Sequence, residues 1–242
     1  MKNKKNITFK KKYFFILCPA AAAVFVVILL FYKPSAVNRS VSVDTNEVSP
    51  YLTHILLPRL YNAAQLGEPF EMVVTDTGIN DIIRRSQWPK QVGDITLTAA
   101  VVTFAPDNII LVMPVTIEAV ELVVTVTAQP RIDHQALLNI ILAKVKVGAV
   151  NITYLARLAA QQVYSQLLAD NQTAPQDFTS KVIASLLAGQ SFEPVFEIDD
   201  IFDNETRNLR ITNITITQGK LTVGLVPVTE PSADSSSGIR TD

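Results

Sequence analysis

The sequence predicts an α+β protein in which an N-terminal transmembrane helix precedes an elongated, strongly curved antiparallel sheet wrapped around amphipathic helices. Three observations predict this fold: an uncharged apolar run near the N-terminus, a long β-branched stretch in the middle of the 242 residues, and segments whose apolar residues recur at helical spacing. The expected order is a cytoplasmic basic segment over 1–12, a transmembrane anchor over 13–32, a linker over 33–49, an extracytoplasmic domain over 50–229 and a disordered tail over 230–242.

The apolar run over 13–31 contains no charged side chain. As a helix it would be about 28 Å long, because each residue adds ~1.5 Å, and this length matches the hydrocarbon core of a bilayer. The lysines in front of the run outnumber Lys33 and Arg39 behind it, so the N-terminus is expected in the cytoplasm and the domain outside the cytoplasmic (inner) membrane. A cleaved signal peptide is the alternative, but Pro34 stands where a small residue is required for cleavage.

Charge and cysteine content exclude several function classes. Six lysines lie within the first twelve residues, which leaves 15 basic and 22 acidic residues, a net charge of −7, for the remainder of the chain. Nucleic-acid binding depends on clustered lysine and arginine, so no nucleic-acid partner is expected. The single cysteine, Cys18, excludes an intrachain disulfide and any multi-cysteine metal site.

The sequence contains no recognisable active-site motif. Its only histidines, His54 and His134, are isolated, and no nucleophile elbow, phosphate-binding glycine loop or zinc-protease motif occurs. The sharpest acidic cluster comprises Asp199, Asp200, Asp203 and Glu205. Calcium accepts several carboxylates in a flexible loop, but this spacing matches no EF-hand, and solvated acids are the alternative. We therefore expect no enzyme, no cofactor and no metal site.

The stretch over 108–130 organises the predicted sheet. Its β-branched residues favour extended strand, in which side chains alternate between two faces. The odd-numbered positions are apolar over 109–117, whereas the even-numbered positions are apolar over 120–128. This change of parity at Glu118-Ala119 predicts either a bulge in one long strand or a tight connection between two strands.

The remaining elements follow from the same two periodicities. The strand over 138–150 is expected to place Ile141 and Val145 on one face, and the helix over 153–170 to keep Arg157 on its outer side. A second bulge is expected near Asn213. The other predicted strands are 70–75, 95–104, 192–198, 209–216 and 221–225, and the other predicted helices begin at Pro50, at a cap on Asp76 or Thr77, and near 177.

The order of these elements resembles a known family. Three segments carry the resemblance: F-E-M-V-V-T-D-T-G-I-N-D-I-I, K-V-K-V-G-A-V and L-R-I-T-N-I-T-I-T-Q-G-K-L-T-V. With Gly148 and Gly219, they resemble the YpmS-like and LmeA-like bacterial envelope proteins, which are similar to tubular lipid-binding (TULIP-type) folds. The resemblance covers roughly 70–228. It implies an anchored envelope protein that binds lipid, and it implies no catalytic residue.

A curved sheet with amphipathic helices can enclose an apolar groove, and small apolar ligands bind in concave apolar sites. The expected function is the binding of a membrane lipid, a lipid-linked molecule or another acyl-bearing ligand. The expected lining residues are Ile109, Leu111, Met113, Val115, Ile117, Leu155, Leu158 and Val163. Two alternatives stay open: these faces pack together as core, or the chain is a non-enzymatic structural or assembly subunit with another envelope protein as partner.

Overall fold

The computed structural model describes residues 29–30, 47–171, 178–199 and 206–228. These residues form an α+β fold, which confirms the predicted fold class. The helices are a π-helical turn, Leu52–Leu56, followed by α1 (Leu57–Gln65), α2 (Asp76–Arg85), α3 (Thr153–Asn171) and α4 (Phe178–Ala188). The strands are β1 (Phe70–Thr75), β2 (Lys90–Val92), β3 (Ile95–Leu97), β4 (Val101–Ala105), β5 (Asn108–Ile117), β6 (Val120–Ile132), β7 (Leu138–Val147), β8 (Val150–Asn151), β9 (Val195–Asp199), β10 (Thr206–Thr217) and β11 (Lys220–Val228).

The strands form two sheets rather than the single sheet that the sequence predicts. The first sheet has the order β1-β11-β10-β9, and the second has the order β2-β3-β5-β6-β7-β8, with β4 also paired to β5. All the strand pairings among the described residues are antiparallel. Neither sheet, as these residues form it, is strongly curled.

The change of parity in the organising stretch is a hairpin turn. Strand β5 ends at Ile117, Glu118 adopts a left-handed φ of 51°, and β6 begins at Val120. Of the two alternatives that the sequence allows, the tight connection between two strands is therefore confirmed. Because Ile117 pairs with Val120 and Met113 with Val124, the two apolar rows lie side by side on one face of the sheet.

The strand predicted over 95–104 is interrupted, and Pro114 on the neighbouring strand explains the interruption. Strand β3 pairs with Val115–Ile117 of β5, and β4 pairs with the first half of β5. Neither strand pairs with Pro114. The carbonyl oxygen of Pro114 accepts a hydrogen bond from the Thr98 amide at 3.1 Å, so this edge of β5 faces β3 and β4. Proline has no N–H to donate on that edge, and the ladder breaks there.

One bulge lies where the sequence predicts it, and a second bulge lies where the sequence predicts none. The register of β10 against β11 shifts between Ile211 and Asn213, where the sequence predicts a bulge. The register of β6 against β7 also shifts, opposite Ala143. This second bulge moves Ile141 to the face opposite Val145, so the predicted common face is wrong: Ile141 is 37% exposed, whereas Val145 is buried.

The helix ends follow local hydrogen-bonding chemistry. Helix α2 is capped by Thr75, whose hydroxyl accepts a hydrogen bond from the Gly78 amide at 3.1 Å, so the predicted caps are wrong by one or two residues. The predicted helix start after Ser49 is confirmed, because the Ser49 carbonyl accepts from the Thr53 amide at 3.0 Å. Helix α4 ends as predicted at Gly189, which has a φ of 69°.

Two core clusters join the sheets face to face. The first buries Leu209, Leu225 and Leu138, which come from β10, β11 and β7. The second buries side chains of β1, β4 and β10, with Phe104 only 2% exposed. Both clusters contact the half of the second sheet that lies away from the β5–β6 turn.

Two turns fasten the sheets at the edge of these clusters. The Gly219 amide in the β10–β11 turn donates to the Phe104 carbonyl at 2.9 Å, and the Asp107 amide in the β4–β5 turn donates to the Ile216 carbonyl at 3.2 Å. Gly219 has a φ of 75°, a conformation that glycine adopts without strain. The two turns therefore satisfy each other's backbone groups.

Leu209→Ala should destabilise the protein by about 2–5 kcal/mol, because it removes a fully buried side chain and leaves a cavity between the sheets. Leu66→Ala is the matched control, since Leu66 is 75% exposed and its loss should change stability by less than about 0.5 kcal/mol. Urea unfolding of the detergent-solubilised protein measures both. Equal effects of the two substitutions would show that the sheets do not share this core.

Candidate functional site

The predicted lining residues of β5 form one row that runs from the core to an open end. Ile109 and Leu111 pack against the second core cluster. Further along the same face, Met113 is half-buried and Val115 is 7% exposed. Ile117, at the end of the strand, is 40% exposed. The row therefore belongs partly to the core and partly to the surface.

The outer part of this row belongs to a wider apolar face. Val115 pairs with Leu97 on one side and with Leu122 on the other, so β3, β5 and β6 present aliphatic side chains in register. Val124 continues the face to Val147 of β7. We call this surface the apolar face; its members are Ile95, Leu97, Met113, Val115, Ile117, Val120, Leu122, Val124, Val126, Val145 and Val147.

The apolar face lies outside the two core clusters that the described residues form. It opens toward the β5–β6 turn, where Ile95, Ile117 and Val120 are 36%, 40% and 44% exposed. The opposite side of these strands carries Thr125 and Lys146 together with four apolar residues, Ile110, Val112, Pro114 and Val123. The alternation gives the second sheet one apolar and one mixed side.

Of the members of this face, the sequence predicts only those of β5 as lining residues. The β6 members form the even-numbered row, and their parity places them on the other side of one continuous strand. Because the chain turns at Glu118-Ala119 instead of forming a bulge, the two rows lie on the same face of the sheet. Ile95 and Leu97 join through the short pairing of β3, which the sequence does not specify.

Helix α3 places its predicted lining residues elsewhere. Leu155 and Leu158 are 64% and 50% exposed, while Ala160 is buried. Arg157 is exposed, as predicted, and its guanidinium donates a hydrogen bond to the Leu142 carbonyl of β7 at 2.7 Å. The predicted inward position of Leu155 and Leu158 is wrong, because both side chains are exposed. The side chain of Val163 lies outside the described residues.

Two clefts lined by described residues contain none of the predicted lining residues. One, of about 480 Å³, lies between α1 and β1 and is lined by Leu66, Phe70 and Met72 with Arg59 at its rim. The other, of about 850 Å³, is lined by residues of α4, β9 and β10 with four charged side chains. Both depend on helix placement that sequence periodicity does not give.

The end of the apolar run contacts the second sheet. The Leu29 carbonyl accepts a hydrogen bond from the Ala149 amide, between β7 and β8, at 2.7 Å. Gly148 has a φ of 58°, and a Cβ at this position would collide with the carbonyl oxygens of Leu29 and Leu30. None of the helices that the structure describes is long and apolar enough to cross a membrane. Apart from 29–30, the predicted anchor over 13–32 lies outside the described residues.

A polar cluster ties the first residues of the domain to α2. The Ser49 hydroxyl donates to the Asp81 carboxylate at 2.5 Å, and the Arg85 guanidinium donates to the other carboxylate oxygen at 3.1 Å. These two groups, the serine hydroxyl first, hold the pKa of Asp81 below its ordinary value against the opposing effect of burial. Glu47 lies 3.4 Å from Arg85 and extends the cluster toward the linker.

The described residues provide no cluster of catalytic or metal-binding groups. No three His, Cys, Asp or Glu side chains among them lie close enough to hold a metal ion. Of the acidic cluster that the sequence suggested for calcium, Asp199 ends β9, and the other three members lie outside the described residues. What the described arrangement offers is therefore apolar surface rather than reactive groups.

Asp81→Asn should destabilise the protein by roughly 1 kcal/mol at pH 7, because an ionised carboxylate is the better acceptor for Ser49 and Arg85. A lowered carboxyl pKa contributes stability that is present above the unfolded pKa and lost as pH falls through the folded pKa. The difference between the two proteins should therefore shrink as pH falls below the ordinary pKa of a carboxyl group and through the lower pKa of folded Asp81. Urea unfolding between pH 7 and pH 3 measures it.

Ser49→Ala provides the second variant for this test. Since the serine hydroxyl is the largest cause of the lowered pKa, Asp81→Asn should have a smaller effect in a Ser49→Ala background. Additive effects of the two substitutions, or a pH-independent effect of Asp81→Asn, would contradict the coupling.

Comparison of the chain with protein-family models, with curated proteins and with solved structures finds no significant match. The resemblance to the YpmS-like and LmeA-like envelope proteins therefore stays an expectation from the sequence.

Proposed function

We propose that this chain is a membrane-anchored extracytoplasmic protein that holds a lipid or another acyl-bearing molecule on the apolar face of the second sheet. One observation carries the proposal: four strands present aliphatic side chains in register beyond the core, and this surface opens at one end of the sheet. The anchor over 13–32 and the cytoplasmic location of the N-terminus are parts of the same proposal.

The energetics of acyl-chain binding suit such a surface. Each buried methylene contributes ~0.8 kcal/mol, so a chain of a dozen carbons binds without specific polar contacts. Met113, Val115 and Ile117 are the predicted lining residues that fit this role, and Leu122 and Val124 join them across the hairpin. Ile109 and Leu111 fit it less well, because they already pack against the core.

A structural or assembly subunit is the second candidate function, and the exposed surface of α3 favours it. Tyr154, Leu155 and Leu158 are 76%, 64% and 50% exposed on its first turns. Apolar side chains grouped in this way often mark a contact with another protein or a membrane. This function would require no ligand on the apolar face.

The domain without its anchor, beginning at Pro34, should fold, remain soluble and carry host lipid. Both described core clusters consist of residues after position 47, so neither requires the anchor. Removal of the lipid should lower the melting temperature by roughly 5–10 °C, because a ligand that binds only the folded state stabilises it. Solvent extraction with mass spectrometry and thermal melting measure these effects. An empty domain whose melting is unchanged by added phospholipid would favour the assembly-subunit function.

Met113→Asp should reduce co-purifying lipid at least about fivefold, because it places a charge in the middle of the apolar face. Thr125→Asp is the matched control: it lies on the opposite side of the neighbouring strand and pairs with Lys146, so lipid content should not change. Lipid content and melting temperature are measured together for both variants. A well-folded Met113→Asp domain with normal lipid content would remove this face from the site.

A further inference from the structure

Several exposed apolar side chains gather at one end of the second sheet. Ile95 pairs with Ile117, and Ile117 pairs with Val120 across the β5–β6 turn. The β7–β8 turn lies at the same end, because the Gly148 amide donates to the Val123 carbonyl at 2.7 Å. Helix α3 begins two residues after β8 and runs back along β7, away from this end, since the Arg157 guanidinium donates to the Leu142 carbonyl. We call the end of the sheet that carries the β5–β6 and β7–β8 turns the anchor end.

The apolar run of the chain reaches the domain at the anchor end. There the Ala149 amide donates a hydrogen bond to the Leu29 carbonyl. Only glycine at position 148 permits so close an approach, since a Cβ would collide with the carbonyls of Leu29 and Leu30. The contact is therefore built into the β7–β8 turn.

The position of this contact along the apolar run determines the depth of the contact relative to the bilayer. If the run over 13–31 spans the hydrocarbon core, residues 29–30 lie in its last turn, at the outer boundary of the bilayer. The β5–β6 hairpin continues beyond Val123, the residue opposite Gly148, for three more residues to Val120. At ~3.4 Å per residue this extension is about 10 Å, comparable to the depth at which interfacial helices are buried.

The side chains of the anchor end have the composition of an interfacial surface. Ile95, Ile117 and Val120 are exposed at the β5–β6 tip and on the strand beside it. These groups lose contact with water when they enter a bilayer surface.

The charges of the anchor end indicate how it meets the membrane. Asp94 and Glu118 lie exposed in the two turns, and Glu121 lies beside them on β6. Acidic groups are not attracted to anionic headgroups, so apolar burial rather than electrostatic attraction must provide the affinity.

We propose that the anchor end lies in the outer interface of the bilayer that the anchor crosses, with the β5–β6 tip inserted among the headgroups. This inference rests on the membrane anchoring in the proposed function. It also adds a route for the ligand: the apolar face opens at this end, so an acyl chain passes between bilayer and sheet without crossing water.

Fluorescence quenching in vesicles tests this placement. Single cysteines carrying an environment-sensitive fluorophore are introduced in a Cys18→Ser background at Ile117, at Val120 and at Lys220, and the full-length protein is reconstituted in phosphatidylcholine vesicles. Lys220 is the control, because it is exposed in the β10–β11 turn, at the end of the domain away from the anchor end. A fourth label at Val26 reports on the anchor itself.

Labels at Ile117 and Val120 should be quenched by phosphatidylcholine that carries a doxyl group near its headgroup. Their quenching by aqueous iodide should be at least about threefold weaker than at Lys220, because inserted groups are shielded from water. Added salt should not change either result, since the placement does not depend on attraction between charges. Melting temperatures equal to that of the unlabelled protein show that each variant is folded.

Two results would overturn the inference. If the Val26 label is quenched by the doxyl lipid but those at Ile117 and Val120 are quenched by iodide as strongly as Lys220, the anchor spans the bilayer and the anchor end stands clear of it. If the Val26 label is also accessible to iodide, the anchoring in the proposed function fails together with the inference. Lipid extracted from the domain that begins at Pro34 tests ligand binding independently of both.

Discussion

The β5–β6 hairpin is the constraint on which the rest of the structure depends. Glu118 in a left-handed conformation reverses the chain within two residues, and the pairing of Ile117 with Val120 then fixes the register of both strands. Since a shift of one residue would exchange the faces of a strand, this register aligns the two apolar rows. The pairing of β3, β4 and β7 with β5 or β6 then sets which of their side chains lie on the same face.

The first sheet covers only part of the surface that the hairpin creates. Leu209 and Leu225 pack toward the half of the second sheet that contains Leu138, and the interlocked turns at Gly219 and Asp107 close the same side. The other half extends past this cover. The two core clusters therefore stabilise the domain, while the apolar face lies outside them, with Val115 and Val145 buried and Ile117 and Val120 exposed. In the proposed function, folding and ligand binding depend on largely different residues.

Local signals in the sequence predict most of the helices and strands. The features that they do not predict depend on pairing between distant strands. The strand at 70–75, the hairpin turned at Gly219 and the bulge near Asn213 follow from alternation and turn chemistry. The division of 95–104 does not, because its cause, Pro114, lies on another strand. Likewise, Leu155 and Leu158 form a helical stripe, but periodicity does not state whether a stripe faces a core. The five β5 residues therefore share one face, as predicted, whereas Leu155 and Leu158 are exposed on α3. Their role in lining a ligand site stays a prediction.

The contact at Gly148 fixes one end of the segment between Leu30 and Ser49 to the domain. Leu30 is fixed at the β7–β8 turn and Ser49 at Asp81, so the chain between them joins two points of one body. The distance between its ends is then set by the domain and not by its own length. Each doubling of the length of such a closed segment costs only about 0.6 kcal/mol of stability. Insertions in this segment should therefore have little effect on stability or on the orientation of the domain.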